Sequence, residues 1–250
     1  MMLPSDIELL YKIKDKQFPI EGNDEEEFYW FLLENYNYSY SQSFQDLWIL
    51  YEYQKQKKSR FEGYFVEFGA HDGMDGSNTL ILEKKWEWRG ILAEPNPLVF
   101  EKLVYRSGLT FSDNRAVFNT DDEEVSFVIT NQDNQYSTIQ GFENLDYNAK
   151  NRQDNQIVTA TTVKLSTLLE EYDAPEVIDY ISVDTEGSEL VILESFFGDE
   201  NKHTVNMWTV EHNWQPAREQ IHRLMTNNGY VRKFEAYSRW DDFYIKKELA

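Results

Sequence analysis

The 250-residue chain has no cysteine, which excludes disulfides, zinc–thiolate centres and thiol nucleophiles. Basic residues are scarce as well: 24 Lys and Arg stand against 45 Asp and Glu, a formal net charge of −21. Duplex DNA, bulk RNA and anionic membrane surfaces are therefore poor partners, because each is gripped by clustered Lys and Arg. No apolar run reaches the length of a membrane span. The opening residues, Met1-Met2-Leu3-Pro4-Ser5-Asp6, lack the basic and apolar regions of a secretory leader. Internal repeats and low-complexity segments are missing too. Aromatic side chains are plentiful, at 16% within a hydrophobic fraction of 41%, and that density builds a core rather than a disordered chain. The expectation is an acidic, cytoplasmic, globular protein, long enough for one substantial domain or two small ones.

The first 60 residues differ from the rest. An acidic run at 21–27 precedes an aromatic segment ending at Tyr40. Apolar residues at i, i+3 and i+4 predict helices over 24–36 (Phe28, Phe31, Leu32) and 43–57 (Leu47, Leu50, Tyr51), with Ser43 as N-cap of the second. The acidic run and the basic stretch Lys55 to Arg60 read as solvated faces. Residues 1–60 are thus expected to form a helical cap that closes through Gln42 to Asp46, held to the core by Phe44 and Leu47.

From residue 61 to 250, strand and helix patterns alternate, which predicts one α/β domain around a mostly parallel sheet. Strands are expected at 63–68, 90–94, 114–118, 177–184 and 207–211. Helices fall between them. One has Ser77 as cap and Leu82 and Trp86 on a shared face. Another opens with Asn96 as N-cap and Pro97 as N1 and carries Phe100, Leu103 and Val104 on one face. Further helices are expected at 167–172, around Leu190, Leu193 and Phe197, and from about Pro216 to Gly229. Strands at 125–130 and 157–164 interrupt the rhythm as a β-excursion whose long polar loop sits near the site. Residues 230–237 and 242–246 predict a terminal antiparallel hairpin.

Chemistry concentrates just after the strands. Glu67-Phe68-Gly69-Ala70-His71-Asp72-Gly73 places a glycine turn after the first strand, where backbone can approach a ligand at the next helix N-terminus. Its spacing, E-x-G-x-x-x-G, lacks the third glycine of pyrophosphate-binding loops. Glu94 ends the second strand, where an acidic side chain can accept both hydroxyls of a ribose. Asp184, Glu186, Glu211 and His212 follow two later strands, and parallel neighbours bring such ends together. Two roles stay open for them. His212 or a carboxylate can act as general base toward a hydroxyl, or Asp184, Glu211 and His212 can bind a divalent cation that acidifies it. Ordinary explanations compete: Glu186 and Glu189 also suit a helix N-terminus, and His212 suits a partly buried structural histidine.

These stretches resemble the FkbM-type S-adenosylmethionine-dependent methyltransferases. The likeness is carried by Phe65 to Gly73, Ser77-Asn78-Thr79, Ile91-Leu92-Ala93-Glu94-Pro95, Asn114-Arg115-Ala116-Val117, and Ile181 to Leu190, with Tyr40 to Asp46 upstream. It covers about residues 40–235. The resemblance implies a class I methyltransferase, Rossmann-like fold with a seven-stranded sheet whose last strand is antiparallel. It also implies a cofactor site of Gln42, Glu67, Gly69, Ala70, His71, Asp72, Gly73, Ser77, Glu94 and Pro95. Asn114 and Ala116 would flank the adenine, and Asp184 would face the methionine end. Family members are usually O-methyltransferases, and this version is similar to bacterial members of surface-polysaccharide loci. The implied acceptor is a sugar, nucleotide sugar or glycan precursor, with S-adenosylmethionine as cofactor and a divalent cation the less favoured addition. The alternatives are an NAD-dependent oxidoreductase or epimerase, disfavoured by the missing glycine and the lack of a well-placed Tyr-x-x-x-Lys pair, and an inactive binding module of the same fold.

Overall fold

The computed structural model describes residues 23–56, 63–106, 108–131, 133–145 and 147–250. The start of the expected cap and most of the basic stretch lie outside them. The predicted first helix is α1 (Asn23–Asn35), and the second is α2 (Gln45–Lys55). Ser43 does not cap α2. Phe44 holds that position in a left-handed conformation (φ 64°), and the Ser43 amide instead donates to the Gln45 side chain at 2.8 Å. The connecting turn is tied by Asp46, a buried carboxylate that accepts from the hydroxyls of Ser39 and Ser41 and from the Tyr40 amide.

The apolar runs after residue 61 become β1 (Tyr64–Phe68), β2 (Arg89–Ala93) and, further along, β8 (Val177–Val183) and β9 (Thr204–Glu211). Between the first two lies α3 (Leu80–Trp86), and after β2 comes α4 (Pro97–Arg106), whose N-terminal Leu98 amide donates to Asn96 Oδ1 at 3.0 Å. Val99 and Leu103 form the buried side of α4, while Val104 faces outward. The third strand of the sheet is β3 (Thr110–Asp113), not the predicted 114–118. As an edge strand with Phe111 half exposed, it lacks the apolar run that marks a central one. The Ala116-Val117 signal belongs to β4 (Ala116–Phe118) of a second sheet.

That second sheet is the excursion. It joins β4 to β5 (Glu124–Thr130), β6 (Thr138–Ile139) and β7 (Asn155–Lys164) in the order β4-β7-β5-β6. Helix α5 (Leu165–Glu171) returns the chain to β8, α6 (Glu189–Gly198) links β8 to β9, and α7 (Arg218–Asn227) follows. The chain closes with β10 (Tyr230–Lys233) and β11 (Asp241–Lys246), the predicted antiparallel pair.

The main sheet has seven strands in the order β10-β11-β9-β8-β1-β2-β3, with β11 antiparallel to both neighbours. Alternation sends Phe65, Leu92, Met207, Phe243 and Ile245 to one face, where α1 and α2 pack, and Val66, Ile91, Trp208 and Tyr244 to the other. The N-terminal helices are integral to the first core. Phe28 stacks on Phe234 at 4.6 Å, and Trp48 on Phe243 at 5.0 Å. Asp24, within the acidic run, is not simply solvated: it pairs with Lys55 at 2.6 Å and with Lys233. Among the described residues no helix is long and apolar enough to cross a membrane.

Candidate active site

In an open parallel sheet, ligands bind beyond the carboxyl ends of the strands where the strand order reverses. Here that point lies between β1 and β8. Gly69 makes the chain turn there: its φ is 74°, and a Cβ on it would lie 1.6 Å from the Asp184 carbonyl oxygen. Its amide and that of Ala70 donate to the Ala93 carbonyl, each at 3.1 Å. The loop is thus clamped between the ends of β2 and β8, with its backbone open to a ligand.

Two carboxylates shape this loop from within. Glu67 accepts from the Asn78 amide (2.8 Å) and from the hydroxyls of Ser77 (3.0 Å) and Thr79, with Arg106 at 3.8 Å. Burial pushes its carboxyl up against the pull of Arg106. Glu94 accepts from the amides of His71 and Asn96, both at 2.8 Å, and burial raises its carboxyl too. Each Glu94 oxygen retains a lone pair for a hydroxyl.

Two cavities meet at the turn. The smaller, of about 40 Å³, has Glu94, Pro95, Arg115, Ala116, Phe127 and Ile139 in its walls. The larger, of about 190 Å³, is enclosed by Gln42 and Gln45 from the N-terminal region, Tyr136 and Asn148 from the excursion, and Trp240 and Asp241 before and at the start of β11. Gly69, His71, Gln135, Asp184 and Glu186 border both.

At the inner end of the larger cavity, Asp184, Glu186 and Glu211 each bring a carboxylate oxygen within 4.8 Å of the others. Glu186 reaches it through a left-handed backbone (φ 58°). It accepts from Arg152 (2.6 Å), Asn148 (3.2 Å) and Asn213 (3.1 Å), and Asn213 also donates to Glu211 at 2.6 Å. Burial pushes Asp184 up to about 7. Glu211 lies well above the usual carboxylate range, first through burial and then through the charges of Asp184 and Glu186. Glu189 serves the helix instead, accepting from the amides of Thr185 and Gly187.

Of the residues expected at the site, Gln42, Glu67, Gly69, Ala70, His71, Ser77, Glu94, Pro95, Ala116, Asp184, Glu186 and Glu211 stand on the cavity walls. Asp72, Gly73 and Asn114 do not. Asp72 accepts the amides of Met74 and Asp75 within its own turn, Gly73 packs against Leu103 and Arg106, and Asn114 is exposed.

His212 is displaced from its expected role as base or ligand. Successive side chains at a strand end point to opposite sides, so with Glu211 turned into the cavity His212 turns away. The Trp214 amide donates to its Nδ1 at 3.1 Å, which leaves Nε2 to carry the proton toward Ser238 Oγ at 3.1 Å. Burial outweighs the nearby Asp242 and lowers its pKa to about 4. Sequence reasoning missed Gln45, Asn148, Arg152, Asn213 and Asp241. Gln45 lay within the expected closing segment Gln42 to Asp46, and Asn213 continues the Glu211-His212 run; Asn148, Arg152 and Asp241 carried no local signal.

A seven-stranded sheet with one antiparallel strand beside its edge, a glycine turn after its first strand and acids at the ends of the next strands defines a class I methyltransferase. The chain belongs to the FkbM methyltransferase family: the profile of the methyltransferase FkbM domain matches residues 67–234. No curated protein matches the chain. Distant likenesses among solved structures include the METTL16 MTase domain (10% identity, TM-score 0.48, covering 98% of this chain and 92% of that one). Another is *M. capricolum* TrmK in complex with its cofactor product S-adenosyl-homocysteine (11%, 0.36, 78% and 65%). A third is a fibrillarin/Nop5p complex (10%, 0.38, 79% and 79%). The chain spans about two thirds, 66%, of another crystal form of the METTL16 MTase domain.

Proposed function

We propose that this chain transfers a methyl group from S-adenosylmethionine to a hydroxyl of a sugar or glycan precursor, in the synthesis of a bacterial surface or capsular polysaccharide. The observation that carries this reading is the pair of joined cavities with different walls. The smaller combines apolar residues with Glu94, which suits a nucleoside whose ribose hydroxyls donate to a carboxylate. The larger combines amides, carboxylates and the rings of Tyr136 and Trp240, which suits a polyhydroxylated acceptor.

The residues fit the cofactor. Gly69 lets the turn pack directly on the Asp184 carbonyl, which fixes the loop at the junction of the cavities beside the carboxylates of Asp184 and Glu186. When bound, S-adenosylmethionine supplies a methyl already activated by its sulfonium. The protein then has to position the acceptor in line and take up a proton. Of the acids there, Asp184, raised to about 7, is the acceptor placed for that proton as long as the group holds no cation.

Trp240 and Asp241 lie outside the family-matched stretch, and on this reading they belong to acceptor choice. The test is transfer of labelled methyl from S-adenosylmethionine to a panel of nucleotide sugars, capsule fragments, peptides and RNA. Label on a carbohydrate oxygen is the expected result. Label appearing only on a peptide or RNA would overturn the acceptor class.

A further inference from the structure

We infer that the inner end of the larger cavity is a divalent-cation site, ligated by the carboxylates of Asp184, Glu186 and Glu211 and suited to Mg²⁺ or Mn²⁺. The three groups come from separate backbone positions: the residue after β8, the left-handed turn two residues on, and the end of β9. Their oxygens nevertheless converge within 4.8 Å of one another. Neighbouring ligands of one hard cation sit about 3 Å apart at a metal–oxygen distance of about 2.1 Å, so small side-chain adjustments would close the three groups around one ion.

A second observation points the same way from outside this cluster. Asp241 is paired in register with Glu211 across β11 and β9 and is 4% exposed. Its Oδ2 accepts from Gln45 Nε2 at 2.9 Å, but its Oδ1 is buried without a hydrogen-bond partner, and the residue borders the cavity. Buried carboxylate oxygens without donors are costly. Among the described residues, Arg152 pairs with Glu186 at 2.6 Å. A bound divalent cation compensates the excess charge, taking Glu211 Oε2 as a ligand and leaving Asp241 Oδ1 to accept from a water it holds.

The donor set selects the metal. All three ligands are carboxylates, His212 faces away, and the chain has no cysteine, so the site favours Mg²⁺ or Mn²⁺ over zinc or copper. Asn148, Arg152 and Asn213 hold Glu186 through Oε2, and Asn213 also holds Glu211 through Oε1, as supporting partners do around metal ligands. The rest of the cavity, about 190 Å³, has room for water or an acceptor hydroxyl to complete the shell. A use in lowering the hydroxyl pKa rests on the methyl-transfer reading. The cation site itself does not.

The test titrates Mn²⁺ into full-length, metal-stripped protein without cofactor or acceptor, followed by loss of the free Mn²⁺ signal in electron paramagnetic resonance. The expected result is one site per chain. Its affinity should fall about tenfold or more in Asp184→Asn and in Glu211→Gln and stay unchanged in Glu101→Gln, an exposed acid of α4. A readout that needs no variant uses the wild type: substoichiometric Mn²⁺ should broaden the amide resonances of residues 184–189 and 211–213 first. Absence of a stoichiometric site, indifference to both substitutions, or broadening centred elsewhere would each overturn the inference. S-adenosylhomocysteine binding is measured separately on the stripped protein, so its failure alongside retained Mn²⁺ binding would count against the cofactor reading and not against the cation site.

Discussion

His212 follows Glu211 directly, yet the two side chains do opposite things. Glu211 enters the cavity, while the imidazole spans Trp214 and Ser238 behind it. His212→Gln should therefore leave methyl transfer within a few-fold of wild type and lower stability by about 1–2 kcal/mol, the cost of disturbing buried hydrogen bonds, as measured by urea unfolding. It should also change the pH response. The folded protein holds His212 near 4, below its ordinary 6.5. Between those values the unfolded chain binds a proton that the folded one refuses. This contribution is complete above about 6.5 and is lost as pH falls to 4, on the order of 3 kcal/mol. Unfolding of His212→Gln across that window should lack this component of the wild-type acid sensitivity. An equal slope in both proteins would assign the acid sensitivity to other groups. A lone sequence could not show the direction of His212, because the bend after β9, with Asn213 and Trp214 both at positive φ, leaves no residue signature of its own.

At the scale of elements, strands buried on both faces were the most legible. Phe65 to Phe68 is apolar but for Glu67, and Ile178 to Val183 but for Asp179 and Ser182, and their ends deliver Gly69 and Asp184 to one point. Edge and excursion strands were less so. Thr110 to Asp113 carries little apolar character, so the third strand was expected one segment too late. The segment from Gln42 to Asp46 is the element with the clearest dynamic consequence. Gln42 and Gln45 stand on the wall of the larger cavity while Phe44 and Leu47 are buried in the core beneath, and Ser41 bridges to Gly76 across the loop. Amide exchange at 42–46 should slow when S-adenosylhomocysteine binds. Unaltered exchange at 42–46 with saturating ligand would place that segment outside the ligand's reach.

For the molecule as a whole, acidic composition and cavity chemistry agree. The surplus of carboxylates that disfavours nucleic acid also supplies the walls of the larger cavity, where cationic or hydroxylated groups are the natural occupants. The family and the order of its motifs were readable from the sequence because they are local, a glycine turn, an acid after each strand, an alternating run, and the sheet topology followed from the resemblance those motifs carry. The cavity was not, because Gln45, Asn148, Arg152 and Asp241 meet only through long-range packing of the N-terminal helices and the excursion onto the strand ends. The central claim, that Glu94 and the Gly69 turn hold S-adenosylmethionine, is tested most directly by calorimetry with S-adenosylhomocysteine. The account predicts stoichiometric binding to wild type, no binding of NAD, and a loss of about 2 kcal/mol, roughly 30-fold, in Glu94→Ala. Unchanged affinity in a folded Glu94→Ala variant, or binding of NAD in place of S-adenosylhomocysteine, would contradict it.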